Sequence, residues 1–180
     1  MVKIIMQGCC GHMGKVISGL VEKDEEAAIV AGIDMADDGK CGYPVFKSLR
    51  ECTVEADVVI DFSSVKATDD MLDFCAEKGL PVVLCTTGLS EEQINHVRAA
   101  SEKTAVLRSA NMSLGINTLL KLNQEAAKVL APAGFDMEIV ERHHKLKLDA
   151  PSGTAIALAD SLNEAMDHQY HYVYDRSQEK

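Results

Sequence analysis

Apolar runs alternate with segments of helical periodicity along the chain as far as about residue 113. Residues 2–6 (Val-Lys-Ile-Ile-Met) predict a strand that ends on a glycine cluster, Gly8-Cys9-Cys10-Gly11-His12-Met13-Gly14. A periodic segment follows, with Ile17, Leu20 and Val21 expected on one face. Residues 28–33 predict a second strand closing on Asp34, and residues 58–62 (Val-Val-Ile-Asp-Phe) read as a buried parallel strand. Ser63 and Ser64 are placed to cap a helix that runs to about Lys78, and Gly79 to end it. Residues 81–85 and 105–108 predict two further strands around a capping-box helix from Ser90 to about Glu102. Strands alternating with helices of this length predict an α/β fold with a doubly wound parallel sheet of the Rossmann type. Ligands on such sheets bind outside the carboxyl ends of the strands. Those ends carry the glycine cluster, Asp34, Phe62 to Ser64, Cys85-Thr86-Thr87-Gly88 and Ser109-Ala110-Asn111.

After Ser113 the pattern changes. Residues 114–130 predict one long amphipathic helix, stopped by Pro132 and Gly134. Residues 135–141 and 170–174 alternate like strands, and residues 154–166 have helical periodicity. The expected organisation is a dinucleotide-binding domain over 1–113 and a partial α+β domain over 114–180 for substrate binding and oligomerisation, joined at a hinge. With only two strand candidates, the second domain is expected to be incomplete, since a two-stranded sheet is marginal alone.

Composition narrows the function. The 180 residues are 47% hydrophobic without Trp, and the formal charge is −10. That acidic balance, lacking any basic stripe, argues against nucleic acid as a partner. No apolar run approaches the roughly 20 residues a bilayer span needs, and residues 2–6 are too short for a signal-peptide core. The six cysteines contain no C-x-x-C pair and are not set out like zinc ligands, so no metal is expected. Free thiols in an α/β chain point to a reducing cytoplasm.

Two segments carry candidate chemistry. The strand, glycine turn and helix at Gly8, Gly11 and Gly14 form the context of a dinucleotide-binding loop, with G-x-x-G-x-x-G spacing. Asp34 lies about 20 residues beyond the third glycine, where a ribose 2′-hydroxyl is expected. The second segment, Glu-Arg-His-His-Lys-Leu-Lys-Leu-Asp-Ala-Pro-Ser-Gly-Thr-Ala over 141–155, gathers His143, His144, Arg142, Lys145 and Lys147 before a helix start. Positive charge concentrated in an acidic chain suits an anionic ligand. Read on spacing alone, the same stretch also fits a solvated loop.

Together these residues resemble the 4-hydroxy-tetrahydrodipicolinate reductases of lysine and diaminopimelate synthesis. Glu141-Arg142-His143-His144, Lys147 and Asp149 to Ala155 match the pattern E-x-H-H-x-x-K-x-D-A-P-S-G-T-A. The glycine loop, Thr86-Thr87-Gly88 and Ala110-Asn111-Met112-Ser113 are similar to the family's cofactor segments. The resemblance implies hydride transfer from NADH or NADPH to a cyclic dicarboxylate, with His143 as proton donor or acceptor and Lys147 as the second catalytic residue. It implies substrate carboxylates held by His144 and by the N–H groups of Gly153 and Thr154. It implies a cofactor bound by Gly8, Cys9, Cys10, Gly11, His12, Met13, Asp34, Cys85, Thr86, Thr87, Ser109, Ala110, Asn111 and Met112. A cytoplasmic homo-oligomer, a tetramer in the family, is implied for the full-length protein. His12 stands where the family usually has Arg, and Cys85 where it usually has Gly. Because Asp34 repels a 2′-phosphate, NADH is the expected preference.

Other readings stay open on the residues alone. One is a different two-domain nicotinamide enzyme; another is a nucleotide-binding sensor or structural subunit without turnover. A serine hydrolase at Ser152 lacks the G-x-S-x-G elbow. A metal site at His143, His144 and Asp149 is disfavoured because adjacent strand residues point to opposite faces.

Overall fold

The structure, a computed structural model, describes residues 1–37, 39–145, 147 and 150–174. It divides into two compact units, Met1–Ser109 and Ala110–Lys180.

The first unit is a six-stranded parallel sheet with helices between the strands. The strands are β1 (Val2–Gln7), β2 (Ala27–Ile33), β3 (Val45–Phe46), β4 (Val58–Asp61), β5 (Val82–Leu84) and β6 (Val106–Arg108). The helices are α1 (His12–Val21), α2 (Val65–Lys78) and α3 (Glu91–Ser101). Strand order is β3-β2-β1-β4-β5-β6, so the chain winds outward from β1 and then returns to start again at β4. The doubly wound sheet is the one the alternation predicts. β3 is the addition: a two-residue apolar run is too short to leave a periodic signal.

The core explains why these runs are strands. Ile5, Ala31, Val59, Val82 and Leu84 are buried on the sheet, against Met71, Leu72 and Cys75 of α2 and Val97 and Ala100 of α3. Burying a side chain such as Leu72 stabilises by roughly 1.5–3 kcal/mol. Gly79 closes α2 in the left-handed conformation (φ 63°), and Ser90 and Gln93 form both bonds of a capping box at the start of α3. One expectation fails on α1: Leu20 is 64% exposed, and the inward face instead carries Gly14, Ile17, Ser18 and Val21. Helix and strand meet too closely at Gly14 for a wider apolar stripe to turn inward.

Helices α2 and α3 are also joined by a titratable clamp. His96 Nδ1 lies 2.8 Å from Asp69 Oδ1 and Nε2 lies 3.0 Å from Asp73 Oδ1. Both contacts are hydrogen bonds only when both ring nitrogens carry protons. The hydrogen bond to Asp69, helped by Asp73, raises the His96 pKa above its ordinary value. A folded-state pKa raised above the unfolded one gives stability that is complete below the unfolded value and lost as pH rises through the folded value. Urea unfolding between about pH 6 and about pH 8 is therefore expected to show falling stability, with a flatter slope in His96→Gln. The solvent-exposed aspartates limit the effect to under about 1 kcal/mol. Equal slopes in the two proteins would remove the clamp from the pH dependence.

The second unit is helical among its described residues. Helices α4 (Leu114–Leu130) and α5 (Gly153–Ala165) pack together, with a 3-10 turn, Ala131–Ala133, closing α4. Small residues carry the contact: Ala127, Ala155 and Ser161 are buried, and Ser161 Oγ donates to Leu120 O at 3.4 Å. The expected strands over 135–141 and 170–174 are not hydrogen-bonded into a sheet. Alternation gives a segment two faces but does not supply the partner that a ladder needs, and Val140 and Tyr174 are 83% and 62% exposed. Among the described residues no helix is long and apolar enough to cross a membrane.

Candidate active site

In the first unit the glycines act by letting backbone approach backbone. Gly8 leaves β1 at φ 79°, and a Cβ there would lie 2.5 Å from the Phe62 carbonyl oxygen at the end of β4. A Cβ on Gly14 would collide with the Gly8 carbonyl oxygen and stand 2.7 Å from Cys9 Cα. The first turn of α1 is thereby pressed onto the turn after β1, at the point where the winding direction reverses. Gly11, the N-cap of α1, supplies no side-chain cap, and uncapped N–H groups at a helix start suit an anion. His12 and Met13 on that turn are exposed. This cradle, too close for any side chain and rich in N–H groups, fits a dinucleotide pyrophosphate.

Asp34 follows β2 directly. Its Oδ2 accepts the Cys10 N–H at 3.0 Å and its Oδ1 the Ala36 N–H at 3.1 Å. The structure thus brings the expected ribose acid onto the glycine turn itself. Of the other expected cofactor residues in this unit, Thr87 is exposed and Ser109 donates its N–H to Leu84 O at 3.1 Å. Cys85 is buried, which pushes its thiol up to about 11. Its backbone N–H donates to the Asp61 carbonyl oxygen at 3.0 Å, which continues the β4–β5 ladder.

Thr86 leads to a residue that sequence reasoning missed. Its hydroxyl donates at 2.6 Å to Asp61 Oδ2. Asp61 is fully buried at the end of β4 and also accepts from the hydroxyl and N–H of Ser63. Burial raises its pKa, while the Ser63 and Thr86 hydrogen bonds oppose that shift. Asp61 therefore ties the turn after β4 to the turn after β5. The available signal was an acid closing an otherwise apolar run.

Three of the cysteines converge in the fold. The adjacent Cys9 and Cys10 and the distant Cys41, which lack zinc-ligand spacing in the sequence, have sulfur atoms within 4.8 Å of one another. Burial pushes the Cys9 and Cys41 thiols up. All six cysteines are free, including the adjacent pair.

In the second unit the histidine segment is organised by Glu141, whose role the motif alone did not assign. Glu141 Oε1 accepts the Ser152 N–H at 2.8 Å, and its Oε2 lies 3.5 Å from His143 Nδ1. The Ser152 hydroxyl and N–H hold the Glu141 carboxyl below its usual range, with a smaller contribution from His143 and Lys147. One carboxylate thus joins the histidine to the start of α5. Ser152 Oγ accepts the Ala155 N–H at 3.1 Å and is 3% exposed. This hydroxyl is a helix cap, which removes it as a hydrolytic nucleophile. Gly153 and Thr154 form the first turn beyond that cap, and Thr154 Oγ1 accepts from Asn111 Nδ2 at 3.1 Å. Asn111, with Ala110 and Met112, belongs to the second unit and not to the nucleotide unit. His144 lies in the turn closed by the Lys147 N–H, which donates to His144 O at 3.1 Å. Asp149 of the disfavoured metal set lies outside the described residues, and neither histidine lies on a strand. Within the first unit, a cavity of about 480 Å3 lined by Lys3, Asp57, Lys78 and Leu80 opens at the amino ends of the strands, opposite the end that carries the glycine turn.

A glycine turn with the shape of a pyrophosphate cradle on a doubly wound sheet, with a second unit that offers a histidine beside a helix start, suits a nucleotide-dependent oxidoreductase. Comparison with known proteins narrows that class. The profile described as dihydrodipicolinate reductase, N-terminus, matches residues 2–112, and the one described as dihydrodipicolinate reductase, C-terminus, matches 115–179. The chain belongs to the dihydrodipicolinate reductase family. It is 48% identical over 176 residues to the 4-hydroxy-tetrahydrodipicolinate reductase of Caldanaerobacter subterraneus subsp. tengcongensis, covering 98% of this chain and 69% of that protein. It is 41% identical to the Clostridium tetani reductase over the same shares. Among solved structures, dipicolinate-bound dihydrodipicolinate reductase from Paenisporosarcina sp. TG-14 aligns with a TM-score of 0.72 and 27% identity, over 100% of this chain and 71% of that one. Myo-inositol 2-dehydrogenase from Lactobacillus plantarum, at 13% identity and TM-score 0.55 over 73% and 41%, shares the fold.

Proposed function

We propose that the chain reduces 4-hydroxy-tetrahydrodipicolinate to tetrahydrodipicolinate, a step of lysine and diaminopimelate synthesis. A reduced nicotinamide, when bound, would supply the hydride that C4 of the substrate takes up. The C4 hydroxyl leaves as water and needs one proton to do so. His143 is the donor: an imidazole held beside a carboxylate is suited to general acid catalysis. Glu141, 3.5 Å from Nδ1, positions that ring. Lys147, His144 and the N–H groups of Gly153 and Thr154 hold the two substrate carboxylates, as a helix start does for anions. Gly8 to Met13, Asp34, Cys85 to Thr87 and Ser109 to Met112 hold the cofactor. The observation that carries this reading is Glu141 bridging His143 and the Ser152 N–H at the start of α5. A relative solved with dipicolinate, itself a pyridine dicarboxylate, supports the substrate class.

The test is loss of nicotinamide absorbance with substrate made enzymatically in situ from pyruvate and aspartate semialdehyde. Cofactor binding without turnover would favour a non-catalytic nucleotide-binding subunit instead. In the same assay NADH is expected to exceed NADPH in kcat/KM by about tenfold, about 1.4 kcal/mol, because Asp34 repels a 2′-phosphate. Equal or better use of NADPH would overturn the preference and point to Lys40. A cytoplasmic setting is supported by the six free cysteines. Homo-oligomeric assembly is supported by the exposed apolar side chains of Leu122, Val129, Phe135 and Val140.

A further inference from the structure

The three thiols beside the glycine turn are placed as ligands. Cys9 and Cys10 come from the turn after β1, and Cys41 comes from the loop between β2 and β3. The Cys9 and Cys10 sulfurs are 3.8 Å apart, and all three lie within 4.8 Å of one another. Cys9 is fully buried, while Cys10 and Cys41 are half-buried, so the cluster has a dry floor and an accessible side.

These separations suit a metal ion. A cation bound to sulfur at about 2.3 Å in tetrahedral or trigonal geometry sets its sulfurs about 3.8–4.0 Å apart. The Cys9–Cys10 pair already stands at that separation, and no pair needs to close by more than about 1 Å to reach it. A disulfide needs its sulfurs at about 2.05 Å, a much larger movement for any pair.

The surroundings hold the sulfurs in place. A Cβ at Gly32 would lie 2.5 Å from Cys9 Sγ and 2.8 Å from Tyr43 Cε2, so glycine leaves the space this thiol fills. The Tyr43 hydroxyl is 2.8 Å from Ser18 Oγ on α1, which anchors the Cys41 loop to the same helix that follows Cys10. Asp34, bonded to the Cys10 N–H, adds negative charge nearby.

We infer that Cys9, Cys10 and Cys41 form a binding site for one thiophilic cation of the Zn2+, Cd2+ or Cu+ class. Three sulfurs satisfy a trigonal soft cation completely and leave an open fourth position on a tetrahedral one. Thiol protons leave as the metal–sulfur bonds form, so no oxidant or reductant is required. The site stands independently of the catalytic reading, because it is measured by metal binding alone.

The experiment is a titration of the full, reduced chain with Cd2+ in the absence of oxygen. It is followed by the cadmium–thiolate charge-transfer absorption and by native mass. Saturation at one ion per chain is expected, with affinity lowered at least about tenfold in Cys41→Ser and unchanged in Cys52→Ser. If Cys41→Ser does not fold, alkylation of the parent decides: Cd2+ is expected to protect Cys10 and Cys41 while Cys52 reacts as before. The inference is overturned by an absorption that never saturates, by parent-like affinity in Cys41→Ser, or by equal alkylation with and without Cd2+.

Discussion

Replacing His143 with alanine is expected to lower kcat by roughly 10²–10⁴-fold, the usual loss when a positioned acid–base group is removed, with NADH affinity unchanged. The variant isolates proton transfer because its neighbours do not depend on it. Glu141 keeps its bond to the Ser152 N–H, and Ser152 keeps its cap on Ala155. The start of α5 therefore keeps its structure, and the glycine turn lies in the other unit. Lys147→Ala is the contrast: losing a charge-assisted contact to a carboxylate raises KM as well. Steady-state kinetics with a parallel NADH fluorescence titration separate the two patterns. Parent-like turnover in both variants would move the active site away from the histidine segment.

The second large effect is expected at Gly14. In most helices Gly→Ala stabilises, by roughly 0.5–1 kcal/mol. At Gly14 the sign reverses, because the new Cβ meets the Gly8 carbonyl and the Cys9 backbone, which cannot swing aside as a side chain can. Overpacking of this kind costs about 1–3 kcal/mol or more. Relief requires α1 to back away from the turn, which spoils the phosphate cradle. NADH affinity is thus expected to fall by about ten- to a hundredfold, at about 1.4 kcal/mol per factor of ten, together with the melting temperature. Gly19 on the same helix has nothing within 4 Å of its would-be Cβ, so Gly19→Ala should melt at or above the parent. Matching melts and affinities for Gly14→Ala and the parent would contradict the close approach.

What the sequence made legible follows from locality. The alternation of apolar runs and helical periodicity, the capping box at Ser90 and the turn at Gly79 are local signals, and each names its element. The glycine loop with Asp34 was legible for a related reason: a doubly wound sheet places the end of its second strand beside the first turn. Other features depend on partners far along the chain. The two residues of β3 make sense only against β2, and the segments over 135–141 and 170–174 have strand faces but no ladder. Leu20 fits the apolar period yet lies outward, since the close contact at Gly14 sets the rotation of α1. Glu141 and Asp61 were visible as letters, but their importance lies in bridges to Ser152 and to Thr86. The thiol cluster was the least legible, because Cys41 reaches Cys9 only through the path of the loop after β2.

The contact beneath Cys9 also bears on the order in which this protein can change. Position 32 has no room for a methyl group while a sulfur occupies the adjoining space. An alanine at position 32 would meet Cys9 Sγ at 2.5 Å and Tyr43 Cε2 at 2.8 Å, so shrinking Cys9 to glycine beforehand would lift the tighter of the two obstacles and leave the ring. The cost of a change at position 32 therefore depends on what stands at position 9, although the two lie 23 residues apart in the chain and meet only in the fold, where β1 and β2 run side by side.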